Sequence, residues 1–86
     1  MNSNLLSEDL QKYILNALSI FHPDSMTARQ YFDWFGDCDE FTILANVEAL
    51  IRKGLVDKQA IRTCDGERFL SLGHLKLESA TDEQTV

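Results

Sequence analysis

The sequence predicts a small α+β fold, three helices followed by a two-stranded β-hairpin. Three observations predict it. Apolar residues recur at i, i+3, i+4 and i+7 in successive windows, the spacing of helices with one buried stripe. Each of the three windows opens on a capping residue, and the second and third close on a glycine. An Asp65-Gly66 pair then lies between two short runs, and such a dipeptide is the preferred centre of a two-residue hairpin turn.

The first helix starts after Ser7, a good N-cap, with Glu8 and Asp9 where the helix dipole favours acids. Leu10, Tyr13, Ile14, Ala17, Leu18 and Phe21 form its buried stripe. Pro23 biases His22 away from helical geometry and ends it. The second helix lies in "MTARQYFDWFG". Thr27 and Gln30 have capping-box spacing, and Met26 and Tyr31 are placed for a hydrophobic staple. Its inward face is Ala28, Tyr31, Phe32 and Phe35, with the three aromatics in the core. Gly36 stops it. In the third helix Asp37 with Glu40 offers a second capping box, and Asp39 is the alternative cap. Ile43, Leu44, Val47, Leu50 and Ile51 form the stripe. Arg52 and Lys53 occupy the last turn, where the dipole favours cations, and Gly54 follows as the stop.

A two-residue turn fixes the hairpin register. Cys64 pairs with Glu67, Thr63 with Arg68, Arg62 with Phe69, Ile61 with Leu70 and Gln59 with Leu72. Ile61, Leu70 and Leu72 then share a face that covers the helices, while Arg62, Cys64, Glu67 and Phe69 share the other. A lone hairpin is marginal in water, so this one packs on the helices or stays partly mobile at its tip. Residues 1–77 form the single domain. Residues 78–86 lack periodicity and read as a disordered acidic tail.

Hydrophobic residues make up 44% and charged residues 26% of the 86, the balance of an ordinary soluble globule. No apolar run approaches the roughly 18 residues of a membrane span. The opening "MNSNLLSEDL" lacks the basic region of a secretory signal. Cys38 and Cys64 have no paired spacing, which points to reduced thiols and a cytoplasmic location. The net charge of −6 argues against indiscriminate nucleic-acid binding. It is unevenly spread: −5 over residues 1–40, +2 over 41–77 and −3 over 78–86. An anionic partner therefore belongs in the third quarter of the chain.

The ordered set "MTARQYFDWFG", "DEFTILANVEALIRKGLV" and "CDGERFLSL" resembles the winged helix-turn-helix family, over roughly residues 7–73. The resemblance implies that the third helix docks in the major groove of double-stranded DNA and the wing touches the flanking backbone. Centring the buried stripe between Val47 and Leu50 gives an outward set of Thr42, Ala45, Asn46, Ala49, Arg52 and Lys53, free of carboxylates, with Glu48 on the flank. Thr42 and Asn46 suit base edges, and Ala45 and Ala49 allow close approach. Arg52, Lys53, Lys58, Arg62 and Arg68 suit phosphates, each adding about 0.9 to the salt slope. The resemblance further implies a homodimeric transcription regulator of bacterial or phage type. The alternative is a protein-interaction adaptor, since a fold alone does not decide function and an acidic chain fits that role.

Four residues are candidate partner contacts. Trp34 is either a partner hot spot or an edge residue half-covered by its own chain. Phe69 points away from Ile61 and Leu70, to meet a partner or the Leu5-Leu6 pair. Leu5 and Leu6 either join two chains or cap their own core. The residues give no reason to expect an enzyme, a cofactor or a metal. His22, His74, Cys38 and Cys64 are scattered without ligand spacing. The four glycines sit at element ends and form no phosphate loop. Asp37, Asp39 and Glu40 cluster, with helix capping as their simpler role.

Overall fold

The computed structural model describes residues 5–78. Helices α1 (Glu8–Phe21), α2 (Ala28–Phe35) and α3 (Glu40–Arg52) are followed by antiparallel strands β1 (Ile61–Cys64) and β2 (Glu67–Leu70). The class and the element order are those the sequence predicts. The expected tail falls outside the described residues except for Glu78. That residue belongs to the fold, since its N–H donates to the Leu55 carbonyl at 3.0 Å.

Local signals set the helix starts. Ser7 accepts from the Leu10 N–H at 3.2 Å. Thr27 and Gln30 form a reciprocal capping box, with bonds of 3.1 and 2.9 Å. Two orphan donors of the first turn are thereby satisfied. At α3 the cap is Asp39, whose carboxylate takes the Thr42 N–H at 3.2 Å. The Asp37 box is therefore not made. Asp39 has extended backbone directly before the first helical residue, the position from which a side chain reaches the third N–H.

The core draws Ile14, Ala17 and Leu18 from α1, Phe35 from α2, and Ile43, Val47 and Leu50 from α3, with Met26, Val56, Ala60 and Leu75 from the connections. α2 departs from its predicted face. Tyr31, Trp34, Phe35 and Cys38 turn inward, and Phe32 stands 70% exposed. The cause is aromatic packing from α1. Tyr13 lies 5.4 Å from the Trp34 ring and 5.5 Å, edge-on, from Phe35, while Phe21 meets Trp34 edge-on at 6.5 Å. The Tyr13 hydroxyl donates to the Trp34 carbonyl at 2.8 Å. These contacts exceed what area burial alone gives, and they rotate the two-turn helix toward Trp34. Trp34 is thus half-buried at the edge of the core.

The hairpin keeps the predicted register from Cys64↔Glu67 to Ile61↔Leu70. Its turn has Asp65 at φ 54° and Gly66 at φ 82°, the two positive angles a type I′ turn requires. Gln59 does not pair with Leu72. Both sit in single 3₁₀ turns, Lys58–Ala60 and Leu72–His74. Asp57 caps the first by accepting from the Gln59 N–H at 2.8 Å, which draws the chain out of extended geometry. The ladder ends at the Ser71 N–H to Ala60 carbonyl bond of 2.7 Å.

Ile61, Leu70 and Leu72 pack on the core, so one face of the hairpin is fastened, as predicted. The chain then returns beneath it. Val56 bridges Leu77, Asp57 N–H donates to Lys76 at 3.0 Å, and Met26 N–H donates to Leu75 at 3.4 Å. These bonds close the base of the hairpin and tie the returning chain to the connection before α2.

Candidate interaction surface

Three faces of α3 have different neighbours. Ile43, Val47 and Leu50 face the core. Thr42, Asn46, Ala49 and Lys53 face the start of α1. Phe41, Ala45, Glu48 and Arg52 run along the outward side, and Phe41 is 73% exposed. The outward set expected from the sequence therefore mixes two faces.

Asn46 is the principal correction. It is fully buried and every polar atom of its carboxamide is used. Its oxygen accepts from the Ser7 N–H at 2.8 Å and from Gln11 Nε2 at 3.1 Å. Its nitrogen donates to the carbonyls of Leu5 at 2.9 Å and Thr42 at 2.8 Å. Asn46 thus fastens the segment before α1 and has no capacity left for a base edge. Lys53 turns the same way, and its Nζ donates to Gln11 Oε1 at 2.8 Å. Thr42 and Ala49 are half-buried at this seam. Leu5 and Leu6 keep half-exposed side chains beside it, while the Leu5 carbonyl is engaged with Asn46.

The second correction concerns charge. Glu48 of α3 faces the hairpin, where it takes Arg52 at 3.3 Å and also Arg68. Arg68 pairs with Thr63, on the helix-facing side of the hairpin, which brings its guanidinium to α3. Two of the five expected phosphate contacts therefore share one carboxylate, and the outward face is not acid-free. Lys58 and Arg62 are exposed and make no ion pair among the described residues. Phe69 is half-exposed on the far face of the hairpin, as the register predicts.

Between α3 and the start of β2 lies a cleft of about 340 Å³, lined by Phe41, Leu44, Glu67 and Arg68. Sequence reasoning passed over Phe41 and left Glu48 on the flank, though the signal was present, while Leu44 lies buried as the stripe predicts. With the stripe centred between Val47 and Leu50, helical steps of roughly 100° put Phe41 about 30° and Glu48 about 50° from the outward pole. Asn46 falls about 110° away on the same wheel.

Cys38 is half-buried and Cys64 exposed, both as free thiols. Among the described residues no group of three or more His, Cys, Asp or Glu side chains is placed to hold a metal ion. No helix there is long and apolar enough to cross a membrane. No family model matches the chain, nor does any curated protein or solved structure.

Proposed function

We propose that this chain is a winged-helix protein-interaction module whose docking surface is the outward stripe of α3 together with the wing. The observation that carries the reading is the makeup of that stripe. It opens on an aromatic ring 73% exposed, continues through Ala45, and ends where Glu48 pairs with both Arg52 and Arg68. A large exposed aromatic beside a cleft of mixed polarity suits a protein partner. A DNA-reading helix instead needs donors aimed at base edges and cations left for phosphate. Here the one amide of that helix is buried, and the Glu48 carboxylate already engages Arg52 and Arg68.

The second reading, a homodimeric DNA-binding regulator, draws support from Lys58 and Arg62 alone. They are exposed bases without an acidic partner among the described residues.

A photo-crosslinking residue installed at Phe41, in cells expressing the full chain, separates the two. Discrete protein adducts are expected at position 41 and not at Ile20, an exposed residue of α1. Nucleic-acid adducts at 41, or equal protein labelling at both positions, would overturn the docking reading.

A further inference from the structure

The cleft between α3 and β2, with the charges around it, selects a kind of partner. One wall is Phe41 and Leu44 of α3, and the other is Glu67 and Arg68 of β2. At about 340 Å³ it has room for one long side chain, apolar on one side and charged on the other. Glu40 stands one turn before Leu44 on the same side of α3, and Asp39 precedes it. Glu48, one turn after Leu44, is shared by Arg52 and Arg68. Asp39, Glu40, Glu48 and Glu67 against Arg52 and Arg68 give this neighbourhood a charge of −2. Asp39 is engaged in capping α3, but Glu40 and Glu67 are exposed and make no ion pair among the described residues. Other bases of the third quarter point elsewhere. Lys53 turns to Gln11, and Arg62 stands on the far face of the hairpin beside Phe69.

We infer that the partner is a protein with a cationic segment that seats one arginine or lysine in this cleft. This rests on the docking reading and names its occupant. A long basic side chain lays its methylenes along apolar surface and keeps its head polar. Here the stem meets Phe41 and Leu44, and the head lies between the carboxylates of Glu40 and Glu67. The exposed ring of Phe41 adds a face on which a guanidinium stacks. Arg68 is the charge lining the cleft that opposes this occupant, and Glu48 draws its guanidinium toward α3. An acidic segment would meet Glu40 and Glu67 as like charges.

The full chain, immobilised, is panned against random dodecapeptides displayed on phage. Enriched peptides are expected to share an arginine or lysine. A synthetic copy of the best peptide, followed by fluorescence anisotropy, is expected to bind about tenfold more weakly to Phe41→Ser, a change at an exposed position. Charge changes at the two exposed residues of the β2 wall should act with opposite signs. Glu67→Gln should weaken the peptide about threefold, and Arg68→Gln should tighten it. An acidic or uncharged consensus, the reverse signs at Glu67 and Arg68, or no enrichment would overturn the inference. Acidic peptides that still need Phe41 would overturn the cationic occupant and leave the docking reading standing. Self-association of the natural chain in sedimentation, abolished by Phe41→Ser, would make a second copy the occupant and overturn the inference. Salt-dependent binding of duplex DNA that Phe41→Ser leaves intact, with no peptide enriched, would overturn the docking reading itself.

Discussion

Asn46 and Glu48 stand two residues apart on α3 and together decide what that helix offers. Asn46→Ala removes the acceptor of Ser7 and Gln11 and the donor to Leu5 and Thr42, and it leaves Gln11 buried without its partner. Stranding buried polar groups costs more than losing a bond to water, so a destabilisation of about 2–4 kcal/mol is expected. The urea midpoint should fall with little change of slope. A loss below about 0.5 kcal/mol, the level of an ordinary surface substitution, would mean that the seam carries no weight. Tyr31 gives a second test. Burial raises its phenol above the ordinary value, and the charges of Glu40 and then Cys38 add to the rise. The folded state thus holds this proton more tightly than the unfolded one. Its contribution is complete below the unfolded value, about pH 10, and is lost as pH rises through the folded one. Stability should therefore decline above pH ~10, and Tyr31→Phe should flatten the decline; an unchanged profile would contradict the assignment. The wheel already sets Asn46 away from the outward pole; what the sequence did not show is its set of partners, since the segment before α1 arrives from some forty positions upstream.

The elements were legible wherever their signals are local. Capping at Ser7 and Thr27, the stop at Gly54 and the register of β1 and β2 depend on residues within a few positions of each other, and all four are found. The rotation of α2 was not legible, because a helix of eight residues presents too few turns to define its own stripe. The rings of α1 settled it, exposing Phe32 and enclosing Trp34. At this scale the hairpin is the element to test. Gly66 has φ 82°, where a Cβ is strained although nothing crowds it within 4 Å. Gly66→Ala should cost about 1–2 kcal/mol, confined to the turn and its flanking rungs. Hydrogen exchange is expected to quicken at Cys64 and Glu67 while the amides of Val47 and Leu50 keep their protection. Equal acceleration in α3 would show instead that hairpin and helices open as one unit.

For the whole molecule the governing fact is how charge is distributed against shape. The cationic segment is the one that folds into the hairpin and the end of α3, as its position in the sequence indicated. What the sequence left hidden is that a single carboxylate from the outward stripe reaches both guanidiniums, a pairing that joins positions twenty residues apart. Glu48 thereby acts as a local counter-ion, and the hairpin meets solvent with less positive charge than its composition implies. Its removal tests the choice between partners. Glu48→Gln keeps the side-chain volume and releases Arg52 and Arg68. These pairs are partly exposed, so the change in stability should stay within about 1 kcal/mol. On random duplex DNA at roughly 50 mM salt the natural chain is expected to give little fluorescence-anisotropy change, and the variant measurable binding. Its log–log salt slope should steepen by about 0.9 for each guanidinium released to phosphate, approaching about 2 for both. A variant that binds no better than the natural chain would locate the obstacle in shape, at Phe41 and the wing, rather than in charge. Tight binding by the natural chain itself would return the surface to nucleic acid.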